Sequence, residues 1–303
     1  MVVAAICFGT LGPLSRFAED AGVEALTLVT WRAGLGAAAV AAVIAVGSAM
    51  GAVRTVSLSR LPLRERWILV MAAGANTLLN LSVFAAFGRV SIALALLVFY
   101  TYPAVVAVAS VLWFGERMDG LRWAALFVSG AGLVLVLAGA GGVGELDPVG
   151  IGLSFAAGLA QVAYVLAARH GFVHVPGAQA AAMTMSGAVL LYVAIAAVAG
   201  GLGALGQPLA SSAALWPVLA AGTVGAGVPT VCYITGIRLL GAPRAAIVAT
   251  LEPVVGVGFA AWLLGEQPAA VQLLGAALIL GAAVLLQVRS PTRPAEHEAL
   301  ADT

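Results

Sequence analysis

Few side chains in this sequence can do chemistry, because only 9% of its 303 residues are charged. Glu252 stands directly before Pro253 in the apolar run VATLEPVVGVG (248–258). A carboxylate there could carry a coupling proton or meet an ammonium group on a solute, or it could hydrogen-bond a neighbouring helix. Arg32, in TWRAGL (30–35), could contact an anion or partner Glu252. The favoured expectation is a guanidinium snorkelling to the outer interface. Asn76 and Asn80, spaced i, i+4, share one helix face and could bond solute carboxylates or hydroxyls, or join helices. Tyr102, at the repeat position of Glu252, could line a cavity or simply pack, and Gln161 and Tyr164 are polar groups in one apolar stretch that could line a cavity. Pro103 and Pro253 each remove a helical hydrogen bond and crowd the preceding turn, which suits hinges or static kinks.

Nothing in this set builds an enzyme. Glu252 has no second acid or base nearby in sequence, and HExxH, GxSxG and CxxC are all missing. GAGGVG (139–144) matches a dinucleotide fingerprint by letter, but no strand precedes it and no crossover helix follows. HGFVH (170–174) places two histidines in a turn, and Cys7 and Cys232 sit in separate apolar runs. We expect no metal and no cofactor. The net charge of +1 gives no support to nucleic-acid binding.

The elements that must hold these residues are membrane helices. Hydrophobic residues make up 62% of the chain and mean hydropathy is +1.09, against the roughly 45–50% apolar usage of soluble domains. With roughly 20 residues needed per crossing, charges and Pro/Gly breaks divide the chain into ten predicted spans. They lie near 1–17, 25–49, 67–88, 91–114, 121–140, 149–169, 178–200, 213–236, 243–264 and 268–288. The first is short, and part of it could lie upstream of this start. Glu252 is then mid-span, where an ionised group costs roughly 2.5–3.5 kcal/mol on insertion scales.

All 14 basic residues are arginine. On a ten-span path, Arg54, Arg60, Arg64, Arg66, Arg117, Arg122, Arg169, Arg238, Arg244, Arg289 and Arg293 share one side, and only Arg16 and Arg89 the other. That asymmetry predicts cytoplasmic termini in a cell inner (plasma) membrane.

The chain also repeats. YPAVVAVASVLWFGE (102–116) and EPVVGVGFAAWLLGE (252–266) align Pro103 with Pro253, Gly115 with Gly265 and Glu116 with Glu266. AAG at 72–74 has a counterpart at 220–222. Five spans per half is an odd number, so the second half enters the membrane inverted, a construction common in secondary transporters. The fold expected is an all-α integral membrane protein of ten transmembrane helices. Residues 1–142 and 148–288 form its two inverted five-helix repeats, and 289–303 a disordered cytoplasmic tail.

This layout resembles the EamA-type branch of the drug/metabolite transporter superfamily. The residues that carry the likeness are FGTLGPLSRF (8–17), Arg32 in TWRAGL, Pro103 with Gly115–Glu116, and LEP (251–253) with Gly265–Glu266. Phe8–Gly9 departs from the Trp–Gly frequent in that family. The resemblance implies a ten-helix basket moving small organic solutes, often exporting amino acids or other metabolites. Its fifth and tenth helices would be peripheral, with the first, third, fourth, sixth, eighth and ninth lining a cavity. The partners expected are a small-molecule substrate, the lipid bilayer and protons as coupling ion, for a monomer or homodimer. Efflux of cationic or multidrug compounds is the alternative, and a non-transporting membrane protein or an intramembrane enzyme using Glu252 as acid or base is the remoter one.

Overall fold

The computed structural model describes residues 1–51, 53, 55–114, 120–139, 147–171, 174–233 and 251–288. Gly115–Glu116, most of GAGGVG, Phe172–Val173, the start of the ninth predicted span and the tail lie outside the described residues. The described residues are helical, with no strand among them.

The helices are α1 (Val2–Gly9), α2 (Leu11–Asp20), α3 (Ala25–Ala49), α4 (Leu63–Phe87), α5 (Ile92–Phe99) and α6 (Tyr102–Phe114). They continue with α7 (Gly120–Ala138), α8 (Pro148–Gly171), α9 (Gly177–Val198), α10 (Ser212–Gly222), α11 (Leu251–Leu264) and α12 (Ala270–Val288). After α10 the chain makes a π-turn, Thr223–Gly227, and stays helical to Tyr233. Six helical stretches are long and apolar enough to cross a membrane: Val2–Asp20, Ala25–Ala49, Leu63–Phe87, Pro148–Ala168, Gly177–Val198 and Ser212–Tyr233. Four more, Ile92–Val106, Trp123–Val136, Leu251–Leu264 and Ala270–Ala282, are apolar but shorter. Six of the predicted spans are thus met by helices of full crossing length, and at the other four the apolar helices are shorter.

Two predicted spans are broken. The first bends at Thr10, whose hydroxyl donates to the Cys7 carbonyl at 2.7 Å. The fourth breaks at Tyr100–Thr101, where the Thr101 hydroxyl donates to the Val98 carbonyl at 2.8 Å. The break falls just before Tyr102–Pro103, as expected where proline removes a backbone donor and a local hydroxyl satisfies a carbonyl instead. Pro253 is buried in the first turn of the described part of α11.

Packing is tightest along α4 with α8, α7 with α12, and α3 with α9. α7 and α12 meet through glycines. A Cβ on Gly132 would stand 2.7 Å from the Gly275 carbonyl oxygen, and one on Gly275 would stand 2.5 Å from that of Gly132. Only hydrogen atoms at these positions let the two backbones approach so closely. α1 meets α11 similarly, Gly9 lying against Val255 and Gly256.

Polar side chains tie the ends. Glu266 accepts from the backbone amides of Ile92 and Ala93, at 2.8 and 3.1 Å, and so anchors the N-terminus of α5. At that same end of the bundle Gln207 bonds Glu24 through its backbone amide and its carboxylate, and the Trp31 indole donates to the Leu205 carbonyl. At the opposite end the Gln179 amide group both donates to and accepts from the Val56 backbone. There His174 Nδ1 lies 2.5 Å from the Glu65 carboxylate.

Candidate functional site

The polar groups converge where α3, α4, the α5–α6 break, α8, the π-turn helix and α11 meet. α4 contributes Asn76 and Asn80. The Asn80 side-chain amide donates to the Asn76 side-chain oxygen at 2.9 Å and to the Asn76 backbone carbonyl at 2.8 Å. Its own oxygen is left free, and Arg32 of α3 uses it: Nη1 donates to Asn80 Oδ1 at 2.6 Å. Nη2 donates to the Gly225 carbonyl at 3.3 Å. The π-turn supplies that acceptor, since a wider i→i+5 turn displaces carbonyls from the α-helical ladder. The Phe84 ring sits beneath the guanidinium, 5.5 Å from its carbon to the ring centroid.

These contacts correct one expectation. Arg32 does not snorkel to the interface; it turns inward, held between α4 and the π-turn. A guanidinium has five N–H donors, and the described residues offer it the two acceptors above. Nε is buried without a hydrogen-bond partner, and among the described residues no carboxylate lies within 4 Å of it.

Glu252 enters from α11. Tyr100, Tyr102 and Tyr233 lie near its carboxylate, and Arg32 is close enough to act on it electrostatically. Gln161 lies near Tyr102, and Thr184 near Tyr164, so α8 and α9 also border this centre. Phe99, Tyr100 and Tyr102 pack on one another with centroids 5.2 to 5.9 Å apart. The chain has five tyrosines, and all five belong to this centre. The fifth, Tyr192, is fully buried and donates to the Thr77 carbonyl. Four tryptophans lie elsewhere: Trp67, Trp123, Trp216 and Trp262 are exposed on the outside, Trp262 by 77%. Glu252, Tyr102, Gln161, Tyr164 and Tyr233 are surrounded by protein yet keep partial exposure, as groups lining an internal space do.

The structure therefore gathers Glu252, Tyr102, Gln161, Tyr164, Arg32, Asn76 and Asn80 around one centre, flanked by the backbone at Pro103 and Pro253. Sequence reasoning passed over Tyr100, Tyr233, Thr184 and Phe84. The YTY triplet at 100–102 and the placement of every tyrosine within a span were the signals available. A carboxylate and a guanidinium face one space without forming an ion pair. Such an arrangement can take up a proton, an ammonium group or a carboxylate. Among the described residues no three metal-ligating side chains come together.

Similarity to known proteins agrees with this arrangement. A crystal structure of a protein 22% identical in sequence superposes with a TM-score of 0.62 over 94% of both chains, which establishes a shared fold. Among curated proteins, none matches. The model of the EamA-like transporter family matches twice, over residues 1–138 and 148–288, one match for each half of the repeat. The chain is a member of that family, a multi-pass membrane transporter of the drug/metabolite type.

Proposed function

We propose that this protein is a secondary transporter that exports a small metabolite, an amino acid or a similar compound, by alternating access. Its ten spans form two inverted repeats, with both termini in the cytoplasm and the protein in the inner (plasma) membrane. The neighbour pattern supports the repeat. Exchanging each span for the one five places on turns the α4–α8 contact into that of α10 with α2. It turns the α4–α9 contact into that of α10 and the π-turn with α3, and the α8 contacts with α5 and α6 into those of α11 with α1 and α2. α3–α9, α7–α12 and α5–α11 pair equivalent spans directly.

One observation carries the transport reading: Glu252 stands beside Tyr100, Tyr102 and Tyr233 inside the bundle, near an Arg32 that has no carboxylate within 4 Å among the described residues. An ionisable group at membrane depth needs a compensating partner or a use. Glu252 has a hydroxyl neighbour and a partly accessible face, so proton or solute exchange is the use that fits. Proteoliposomes loaded in turn with amino acids and cationic dyes, each run with and without a pH gradient, test this. At least one solute should leave faster than from protein-free vesicles, and the gradient should change its rate. Uniformly background rates would end the reading.

Efflux of cationic compounds is the second reading, favoured by the same tyrosines, because aromatic faces and a carboxylate together attract organic cations. Within the panel, movement of dyes without amino acids would select it.

A further inference from the structure

We propose that Phe84 is the outer gate of the transport path and that the cavity beside it is the vestibule leading to the central site. This rests on the transport reading and adds the route by which the site meets the external face. A cavity of about 560 Å³ opens between the end of α2, the start of α3 and the end of α4. Its rim carries Glu19, Glu24 and Arg89, and its floor is Leu28 and Phe84, exposed by only 2% and 4%.

The helical register extends the line inward. Leu28 and Arg32 are one turn apart on α3, and Phe84 and Asn80 one turn apart on α4, so both pairs share a face. Going inward, the seam reads Glu24 and Gly88, then Leu28 and Phe84, then Arg32 and Asn80. α3 and α4 follow each other in the chain yet touch only briefly, which leaves room for this seam. Phe84 thus presents one side to the vestibule and the other to the guanidinium at 5.5 Å. Phe87 backs it edge-on with centroids 5.5 Å apart. One apolar layer separates the external cavity from the charged centre. Moving a single aromatic ring would join them, and side-chain rotation is a far smaller change than parting two helices.

Accessibility to a membrane-impermeant maleimide added outside intact cells tests the gate without knowledge of the solute. With Cys7 and Cys232 replaced by serine, Ala25→Cys reports on the vestibule and Asn76→Cys on the centre, two turns inward of Phe84. Ala25→Cys should label rapidly. Asn76→Cys should label slowly beside Phe84 and several-fold faster beside Phe84→Ala. Phe84→Leu provides the same comparison if the alanine variant does not reach the membrane. A labelling rate at Asn76→Cys unchanged by both substitutions would overturn the gate. An Ala25→Cys inaccessible from outside would overturn the vestibule. Labelling needs no transported solute, so these outcomes stay separate from any failure to find flux in vesicles.

Discussion

The two halves of the polar centre share a backbone plan and differ in charge. Arg32 is the eighth residue of α3, and the eighth residue of α9 is Thr184. Tyr102 precedes Pro103 in the first half, and Glu252 precedes Pro253 in the second. The first half thus supplies the cation and the second the anion, each facing a neutral hydroxyl residue at the equivalent place. A duplicated scaffold can repeat its kinks and close contacts, because those follow from backbone geometry. A symmetric pair of carboxylates or guanidinia around one centre would instead repel. On the proposed transport reading, charge asymmetry would let a duplicated scaffold hold one proton or one polar solute between its halves.

The comparison can be broken at several points. Glu252→Gln keeps the shape and removes the anion; gradient-driven flux in vesicles should fall by about tenfold or more and lose its dependence on pH. Unchanged flux and pH profile would reduce Glu252 to a structural bond. Arg32→Gln should lower flux by about fivefold, and the double variant with Glu252→Gln should be non-additive by about 1 kcal/mol in a cycle on rates or thermal stability. Strict additivity would mean that the two charges do not share a space.

Glu266 sharpens the contrast, because its position is one the halves hold in common. Glu266→Gln loses the charge behind two backbone hydrogen bonds and should lower stability by about 1 kcal/mol. The pH profile of flux should stay as it is, which thermal unfolding and vesicle assays together would check. Tyr102→Phe removes one hydroxyl and should change flux by about two- to threefold.

Asp147 lies at the bundle end and should matter least. The Val149 amide and the Arg89 guanidinium hold its carboxyl below the usual range. A carboxyl lowered on folding adds stability above its unfolded pKa, and that contribution fades as pH falls through the folded value. Asp147→Asn should therefore shift melting temperature slightly at neutral pH and not at all in strong acid. The pair is solvent-exposed, and exposed pairs contribute little.

Much of this was legible in the sequence because membrane burial imposes simple rules. Where backbone groups have no water to bond, helices are the economical solution, so the apolar runs read directly as α3, α4, α8 and α9. The Pro–Gly–Glu repeat pointed to a duplication, and the family model matches once over residues 1–138 and once over 148–288. Glu252 and the Asn76–Asn80 face were visible because a polar residue inside an apolar run has few places to go. Arg32 was misjudged, since its distance from the helix start suited snorkelling. Its real partners are a side-chain oxygen 48 residues away and a carbonyl 193 residues away, and neither is within reach of a local pattern.

By itself, then, the sequence determined the solvent, the helices, the duplication and which polar groups had to be accounted for, because each depends on local composition or period. Tertiary structure alone decided that Tyr100, Tyr102 and Tyr233 come together beside one carboxylate, that Arg32 faces inward with Nε unpaired, and that Phe84 lies between the cavity at the helix ends and the Arg32 guanidinium. Those facts depend on which helix faces meet, and that is set by long-range packing of small residues such as Gly132 against Gly275, whose contacts no local spacing encodes.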